Sequence, residues 1–91
     1  MSVEAERPVV VEVAANEYEP VVAELYRQSD DRTAADAKRR AARGARAQLV
    51  RAYAAAPTGS RVVRVHPVSE PVRDALVAAV ESVQWPGGDA A

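Results

Sequence analysis

The residue types that most often do chemistry in proteins are scarce in this chain. It contains one histidine, His66, and no cysteine. A nucleophile needs a base within hydrogen-bond reach, and the hydroxyl side chain nearest His66 along the sequence is that of Ser69. We interpret His66, which precedes Pro67, as a surface or capping residue. The lack of cysteine excludes disulfides, thiolate catalysis and cysteine-ligated zinc or iron–sulfur centres.

The acidic residues near the middle of the chain do not have the spacing of a metal site. Asp30 and Asp31 lie close to Asp36, but the trio lacks the pattern of a calcium loop. We expect these carboxylates to favour the positive end of the following helix. Thr33 and Asp36 approximate a capping box at the same point. The sequence therefore predicts no metal-ligating residue.

One segment, Pro57-Thr58-Gly59-Ser60, has the composition of a phosphate-binding loop. Such a loop runs from a strand into a helix, so that the helix N-terminus points at the anion. Here the order is helix then strand, and the dipole has the wrong direction. We interpret the segment as a turn. The sequence thus predicts a protein that is not an enzyme, with no catalytic residue and no cofactor.

The composition predicts a small core. The chain has 91 residues, which suits one domain. It contains 20 Ala and 16 Val but only three Leu, and neither Ile nor Phe. Small side chains each bury little apolar surface, so we expect closely packed helices and a stability that association would raise. Eleven Arg against one Lys indicate the codon bias of a high-GC genome.

Hydrophobic periodicity predicts an α+β domain with the order β-α-α-β-α. The predicted strands are 8–13 and 61–66, and the predicted helices cover about 16–28, 33–56 and the stretch from Ser69 to Trp85. We expect Ser69 to cap the last helix, with Pro71 in its first turn. We expect a polar arm over 1–7, one domain over 8–85 and a short tail over 86–91. In the middle of the second helix, Gly44 indicates a close helix contact or a slight bend.

The two strands should form a small sheet that the helices cover. We expect Val11 and Val13 on one face, with Glu12 and Arg64 paired on the wet face. Two strands alone are marginally stable in water. Either the helices cover the sheet well, or a second copy or a partner completes it.

The charge is sorted along the chain, although the net charge is only −1. Residues 1–31 carry eight acidic and two basic side chains, a net charge of −6. Residues 32–64 carry nine basic and one acidic, a net charge of +8, and residues 65–91 carry four acidic and one basic, a net charge of −3. A basic middle is therefore flanked by acidic ends.

On the second helix this basic segment forms an Arg ridge at about 100° per residue. The ridge consists of Arg32, Arg39, Arg43 and Arg46, with Arg40 and Arg51 beside it. Three interpretations stay open: a solvated helix face, a surface that meets acidic protein, or a surface that contacts nucleic-acid phosphates. No aromatic residue alternates with these arginines in the sequence, which argues against nucleic acid. We expect the tyrosines at the edge of the core.

Trp85 is the only tryptophan, and it either packs on the domain or anchors a partner. The expected function is a non-catalytic protein–protein interaction or assembly subunit, as in a phage particle or another multi-subunit complex of a high-GC bacterium. The alternative is a nucleic-acid-associated regulator that uses the Arg ridge. Partner-binding residues are predicted to be Arg32, Arg39, Arg40, Arg43, Arg46, Arg51 and Trp85.

The expected location is the cytoplasm or a particle assembled inside the cell. No apolar run approaches the ~20 residues that cross a bilayer, so no membrane contact is predicted. The start of the sequence is acidic, whereas a signal peptide begins with basic residues before an apolar stretch.

Overall fold

The computed structural model describes residues 10–84 and has the predicted element order. The elements are β1 (Val11–Ala14), α1 (Tyr18–Ser29), α2 (Asp36–Ala55), β2 (Val62–Val65) and α3 (Glu70–Gln84). A 3-10 turn over Ala15–Glu17 joins β1 to α1. The α+β class is thus confirmed. The predicted arm over 1–7, the tail over 86–91 and Trp85 lie outside the described residues.

The two strands pair antiparallel, and one face of the sheet is buried. Val11 lies opposite Val65 and Val13 opposite Val63, and all four side chains are buried. On the other face Glu12 lies opposite Arg64, and the Arg64 Nε donates to Glu12 Oε2 at 3.1 Å. This confirms the predicted ion pair. Within residues 10–84 the sheet has only these two strands, so it is open at both edges.

The core is built around the three leucines of the chain. Leu25 comes from α1, Leu49 from α2 and Leu76 from α3, and each is completely buried. Each helix therefore contributes one leucine to a centre that the valines of the sheet also line. With so few large aliphatic side chains in the sequence, the core depends on these three positions.

Small residues let α2 approach its neighbours closely. Ala42 and Ala45 are buried on its inner face. A Cβ atom added at Gly44 would lie 3.3 Å from the Val72 Cγ2 of α3, so the glycine marks the contact between these helices. The alternative of a bend at Gly44 is not needed, because α2 runs without interruption from Asp36 to Ala55.

The start of α2 differs from the prediction. The helix begins at Asp36, and Ala35 caps it without a side-chain hydrogen bond. Thr33 donates from its backbone N–H and from its hydroxyl to Asp31 Oδ1, at 3.0 and 2.6 Å. The predicted capping box of Thr33 and Asp36 is therefore wrong, because the local turn with Asp31 takes the threonine hydroxyl. By contrast, Ser69 accepts from the Val72 N–H at 3.4 Å and caps α3 as predicted.

The segment after α2 is a turn, as predicted. The Ser60 N–H donates to the Pro57 carbonyl at 3.1 Å, and the Ser60 hydroxyl donates to the same oxygen at 2.7 Å. Gly59 has a φ of 86°, a region that side chains with a Cβ rarely adopt.

We expect Gly59→Ala to lower the free energy of unfolding by about 1–2 kcal/mol, because the new Cβ strains a left-handed backbone. Within residues 10–84, no atom beyond the adjoining residues lies within 4 Å of the added Cβ. The loss of stability would therefore come from the backbone conformation and not from a steric clash. Urea denaturation followed by circular dichroism measures it. The neighbouring exposed Thr58→Ala is the control and should change little. Equal effects at both positions would contradict the explanation.

Candidate interaction surface

All three tyrosines of the chain lie along the contact between α1 and α2, where Tyr18 is half-buried against the core and Tyr26 and Tyr53 are exposed. Tyr18, at the start of α1, stacks on Tyr53, near the end of α2, with ring centroids 3.7 Å apart and planes 10° apart. Tyr26, at the other end of α1, lies under the guanidinium of Arg46 at 5.1 Å. The two contacts show that α1 and α2 run antiparallel.

The residues of α2 on this side form a stripe. Arg39, Arg43, Arg46, Val50 and Tyr53 fall within a sector of about 80° at 100° per residue. Tyr26, Val50 and Tyr53 are 57%, 41% and 43% exposed, so aromatic and aliphatic groups reach solvent between the arginines. We call this patch the Tyr–Arg surface and define it as Tyr18, Tyr26, Arg39, Arg43, Arg46, Val50 and Tyr53.

The structure brings only part of the predicted Arg ridge together. Arg39, Arg43 and Arg46 lie on the Tyr–Arg surface. Arg32 lies in the turn before α2 and is not helical, which corrects its predicted place in the ridge. The reason is the late start of the helix at Asp36.

Two other predicted arginines lie to one side of this surface. Arg40 is exposed, and its Nη2 donates to Asp36 Oδ2 at 2.6 Å. Arg51 is exposed and sits about 80° around α2 from Arg43, about 100° from Val50, about 140° from Arg46 and about 160° from Tyr53. Trp85 lies outside the described residues. That any of these residues binds a partner stays a prediction.

Two guanidinium groups of the surface are partly shielded from solvent. The Nε atoms of Arg39 and Arg46 are buried and have no hydrogen-bond partner in the described part of the chain. Arg39 also donates to Asp36 Oδ1 at 3.2 Å, whereas Arg43 forms no ion pair with any residue from 10 to 84. Leaving a charged donor desolvated and unpaired is costly.

The sequence patterns did not predict that the tyrosines lie beside the arginines. No aromatic residue alternates with the arginines along the sequence, but in the folded chain Tyr18 and Tyr26 of the neighbouring helix α1 lie beside them. The expectation that aromatic groups are absent from the Arg ridge is therefore wrong. A signal was present: Tyr53 follows Arg46 by seven residues, and Tyr18 and Tyr26 are separated by eight. Such spacings place residues on one helix face, but only the pairing of α1 with α2 shows that the faces adjoin.

On the other side of α1, Glu24 sits in a local network of hydrogen bonds. Arg27 Nε donates to Glu24 Oε1 at 3.1 Å, and Gln28 Nε2 donates to Oε2 at 2.9 Å. The hydrogen bond from Arg27 is the main cause that lowers the pKa of Glu24, and burial opposes it.

A lowered folded-state pKa means that the interaction stabilises the fold above the unfolded pKa of about 4.3 and is lost as the pH falls through the folded value. We expect wild type to exceed Glu24→Gln in stability by roughly 0.2–1 kcal/mol at neutral pH. This difference in the free energy of unfolding between wild type and Glu24→Gln should shrink between about pH 5 and pH 3. Urea denaturation across that range measures it. Arg27→Gln removes the main donor and should reduce this pH dependence, although the hydrogen bond from Gln28 remains. A difference in stability that stays constant with pH would refute the assignment.

A shallow groove of about 610 Å³ lies where α1, α2 and α3 meet. Its walls are small side chains: Ala34 of the turn before α2, Ala37 and Ala41 of α2, and Ala75 and Ala78 of α3. The ionisable groups at its edge are Arg27, Asp31, Lys38 and Asp74. No histidine or hydroxyl side chain is among the residues that line the groove.

The other candidates for chemistry do not converge. His66 is exposed, and its carbonyl accepts a hydrogen bond from Gln48 Nε2 at 2.8 Å. Over residues 10–84, no group of three or more histidine, cysteine or acidic side chains is arranged to hold a metal ion. None of the helices in the same stretch is both long and apolar enough to cross a membrane.

Comparisons with models of protein families, with curated protein sequences and with solved structures gave no significant match. The Tyr–Arg surface is therefore the feature from which a function can be inferred.

Proposed function

We propose that this chain is a small non-catalytic interaction or assembly subunit that binds an acidic protein partner through the Tyr–Arg surface. The observation that carries the proposal is the gathering of all three tyrosines with Arg39, Arg43 and Arg46 on one side of the α1–α2 pair. Tyr26, Arg43 and Tyr53 are exposed there, and the other three are half-buried. Tyrosine and arginine are the residues that most often dominate binding energy at protein interfaces, together with tryptophan.

The mixture of groups on this surface supports a protein partner. Val50 and the rings of Tyr26 and Tyr53 offer apolar area, while Arg43 and Arg46 offer positive charge. A protein interface combines a largely apolar centre with charged groups at its rim. Arginine also stacks on aromatic rings and binds carboxylates in a two-pronged fashion, and the stacking is present between Arg46 and Tyr26.

The second candidate is a nucleic-acid-associated regulator. The exposed rings of Tyr26 and Tyr53 beside arginines favour it, because bases stack on aromatic side chains while phosphates pair with arginine. Its signature is binding that weakens steeply with salt and that is lost when Arg39, Arg43 and Arg46 are replaced by alanine. The net charge of −1 over the whole chain favours the protein partner.

Photo-crosslinking distinguishes these functions. A photoreactive phenylalanine analogue replaces Tyr26 in the full chain, expressed in the cells that naturally contain it. The expected result is a covalent adduct with a protein, identified by mass spectrometry. The control places the same group at Val68, which is 76% exposed and contacts Gln48 on the opposite flank of α2. Adducts with nucleic acid would support the second candidate, and equal adducts at both positions would overturn the proposal.

A phage particle or another multi-subunit complex of a high-GC bacterium, assembled inside the cell, is the setting we propose for this function. The support is the bias toward alanine, valine and arginine and the small core, since a chain with few large core residues gains stability from a bound partner. The mass-spectrometric identity of the adduct at Tyr26 tests the setting at the same time.

A further inference from the structure

The outward face of α3 carries an acidic stripe, which we define as Glu70, Asp74, Val77 and Glu81. All four side chains are exposed, and they follow the spacing i, i+4, i+7, i+11. Residues at this spacing lie on one side of a helix. Three carboxylates and one valine therefore extend along about 16 Å of helix.

The Tyr–Arg surface contains the same spacing with the opposite charge. Arg39, Arg43, Arg46 and Val50 of α2 also follow i, i+4, i+7, i+11. Each stripe thus has three like charges and one valine over the same length. The intervals of four, three and four residues are the same in both directions. In either orientation two arginines of one stripe therefore face two carboxylates of the other, while the third arginine faces Val77 and Val50 faces a glutamate.

We propose that the Tyr–Arg surface of one copy of this chain binds the acidic stripe of a second copy. This inference rests on the proposed function, because it names the acidic partner of that surface. α3 contributes no residue to the Tyr–Arg surface, so the contact joins two different faces. Such a heterologous contact leaves one face of each kind free and extends with concentration unless it closes into a ring.

Within residues 10–84, two charged residues of the stripes have neither an ion pair nor a cation–π contact that would compete with binding between copies. Arg39 already contacts Asp36, and Arg73 contacts Glu70 and Asp74. Arg43 and Glu81 form no ion pair in this part of the chain. A charge reversal at either of these positions therefore changes the contact between copies without breaking a described contact within one copy.

Analytical ultracentrifugation of the full chain tests the proposal. We expect self-association at about 0.01 M salt that weakens at about 0.3 M, because salt screens exposed charges. Arg43→Glu and Glu81→Arg should each weaken the association constant about tenfold or more. An equimolar mixture of the two should associate again, since it retains one unaltered face of each kind.

Controls keep the test specific to the stripes. Arg61→Glu makes the same charge change in the segment before β2, outside both stripes, and should leave association unchanged. Arg43→Gln and Glu81→Gln should weaken association in the same direction but less than the reversals. Circular dichroism of each variant checks that the helices are intact.

Three results would overturn the inference: a monomer up to about 1 mM, association that neither reversal alters, or a mixture no stronger than its components. If the chain is monomeric while Tyr26 crosslinks to a different protein, the inference fails and the proposed function stands. Crosslinking of Tyr26 to nucleic acid in a monomeric chain overturns both.

Discussion

Leu49→Ala is expected to lower the free energy of unfolding by about 2–5 kcal/mol, the range for truncating a buried leucine. Leu49 is completely buried and is the only leucine of α2. The truncation removes apolar contacts and leaves a cavity that neighbouring alanines are too short to fill. Domains of this kind have a total stability of only about 5–15 kcal/mol, so this variant should lose a large part of its folded population at moderate temperature.

The matched control is Val50→Ala, the next residue of the same helix, which is 41% exposed. It should cost within about 0.5 kcal/mol, as most surface substitutions do. Urea denaturation followed by circular dichroism gives both values. If Leu49→Ala does not fold, Leu49→Val provides a smaller truncation, expected to cost about 1 kcal/mol. Equal losses for Leu49→Val and Val50→Ala would contradict a core that depends on three leucines.

Gly44→Leu is expected to lower the free energy of unfolding by about 1–3 kcal/mol, because overpacking forces neighbouring groups apart. A Cβ alone would lie 3.3 Å from Val72 Cγ2, so a longer side chain adds bulk at a point where α2 and α3 are already in close contact. For a net destabilisation, the unfavourable steric contribution must exceed the gain of about 1 kcal/mol in helix propensity on replacing glycine. Thermal unfolding monitored at helix wavelengths gives the net effect.

Two further variants isolate the steric cause. Ala47→Leu places the same side chain on the exposed face of α2 and should leave stability nearly unchanged. Val72→Ala in the Gly44→Leu background opens the contact, so the double variant should lose less than the sum of the two single variants. A strictly additive pair would mean that Gly44 is not held at its contact with Val72.

Much of the fold could be predicted from local patterns. Alternation of Val11 and Val13 with Glu12 identified the buried face of the first strand, and Ser69 with Pro71 identified the start of α3. The start of α2 could not be read in this way, because Thr33 has two possible acceptors nearby. Asp31, only two residues before it, accepts the Thr33 backbone N–H that a capping box would direct to Asp36, and it accepts the Thr33 hydroxyl as well.

The candidate surface was only half visible in the sequence. Arg39, Arg43 and Arg46 share a face by helical spacing alone. Tyr18 and Tyr26 belong to the same surface only because α1 packs antiparallel to α2, and this pairing is a tertiary property that spacing within one helix does not contain. The same limit applies to Gly44, whose partner Val72 is 28 residues away in the sequence.

The pairing of β1 with β2 has a consequence for how the chain folds. Glu12 and Arg64 are 52 residues apart, and the length-dependent entropy of closing such a loop is about 3.5 kcal/mol. Two four-residue strands return little energy against this cost. The helical hairpin of α1 and α2 has a connection of only six residues, so it can form first and shorten the effective loop. The sheet is then the last element to close, and the first to open when the protein unfolds.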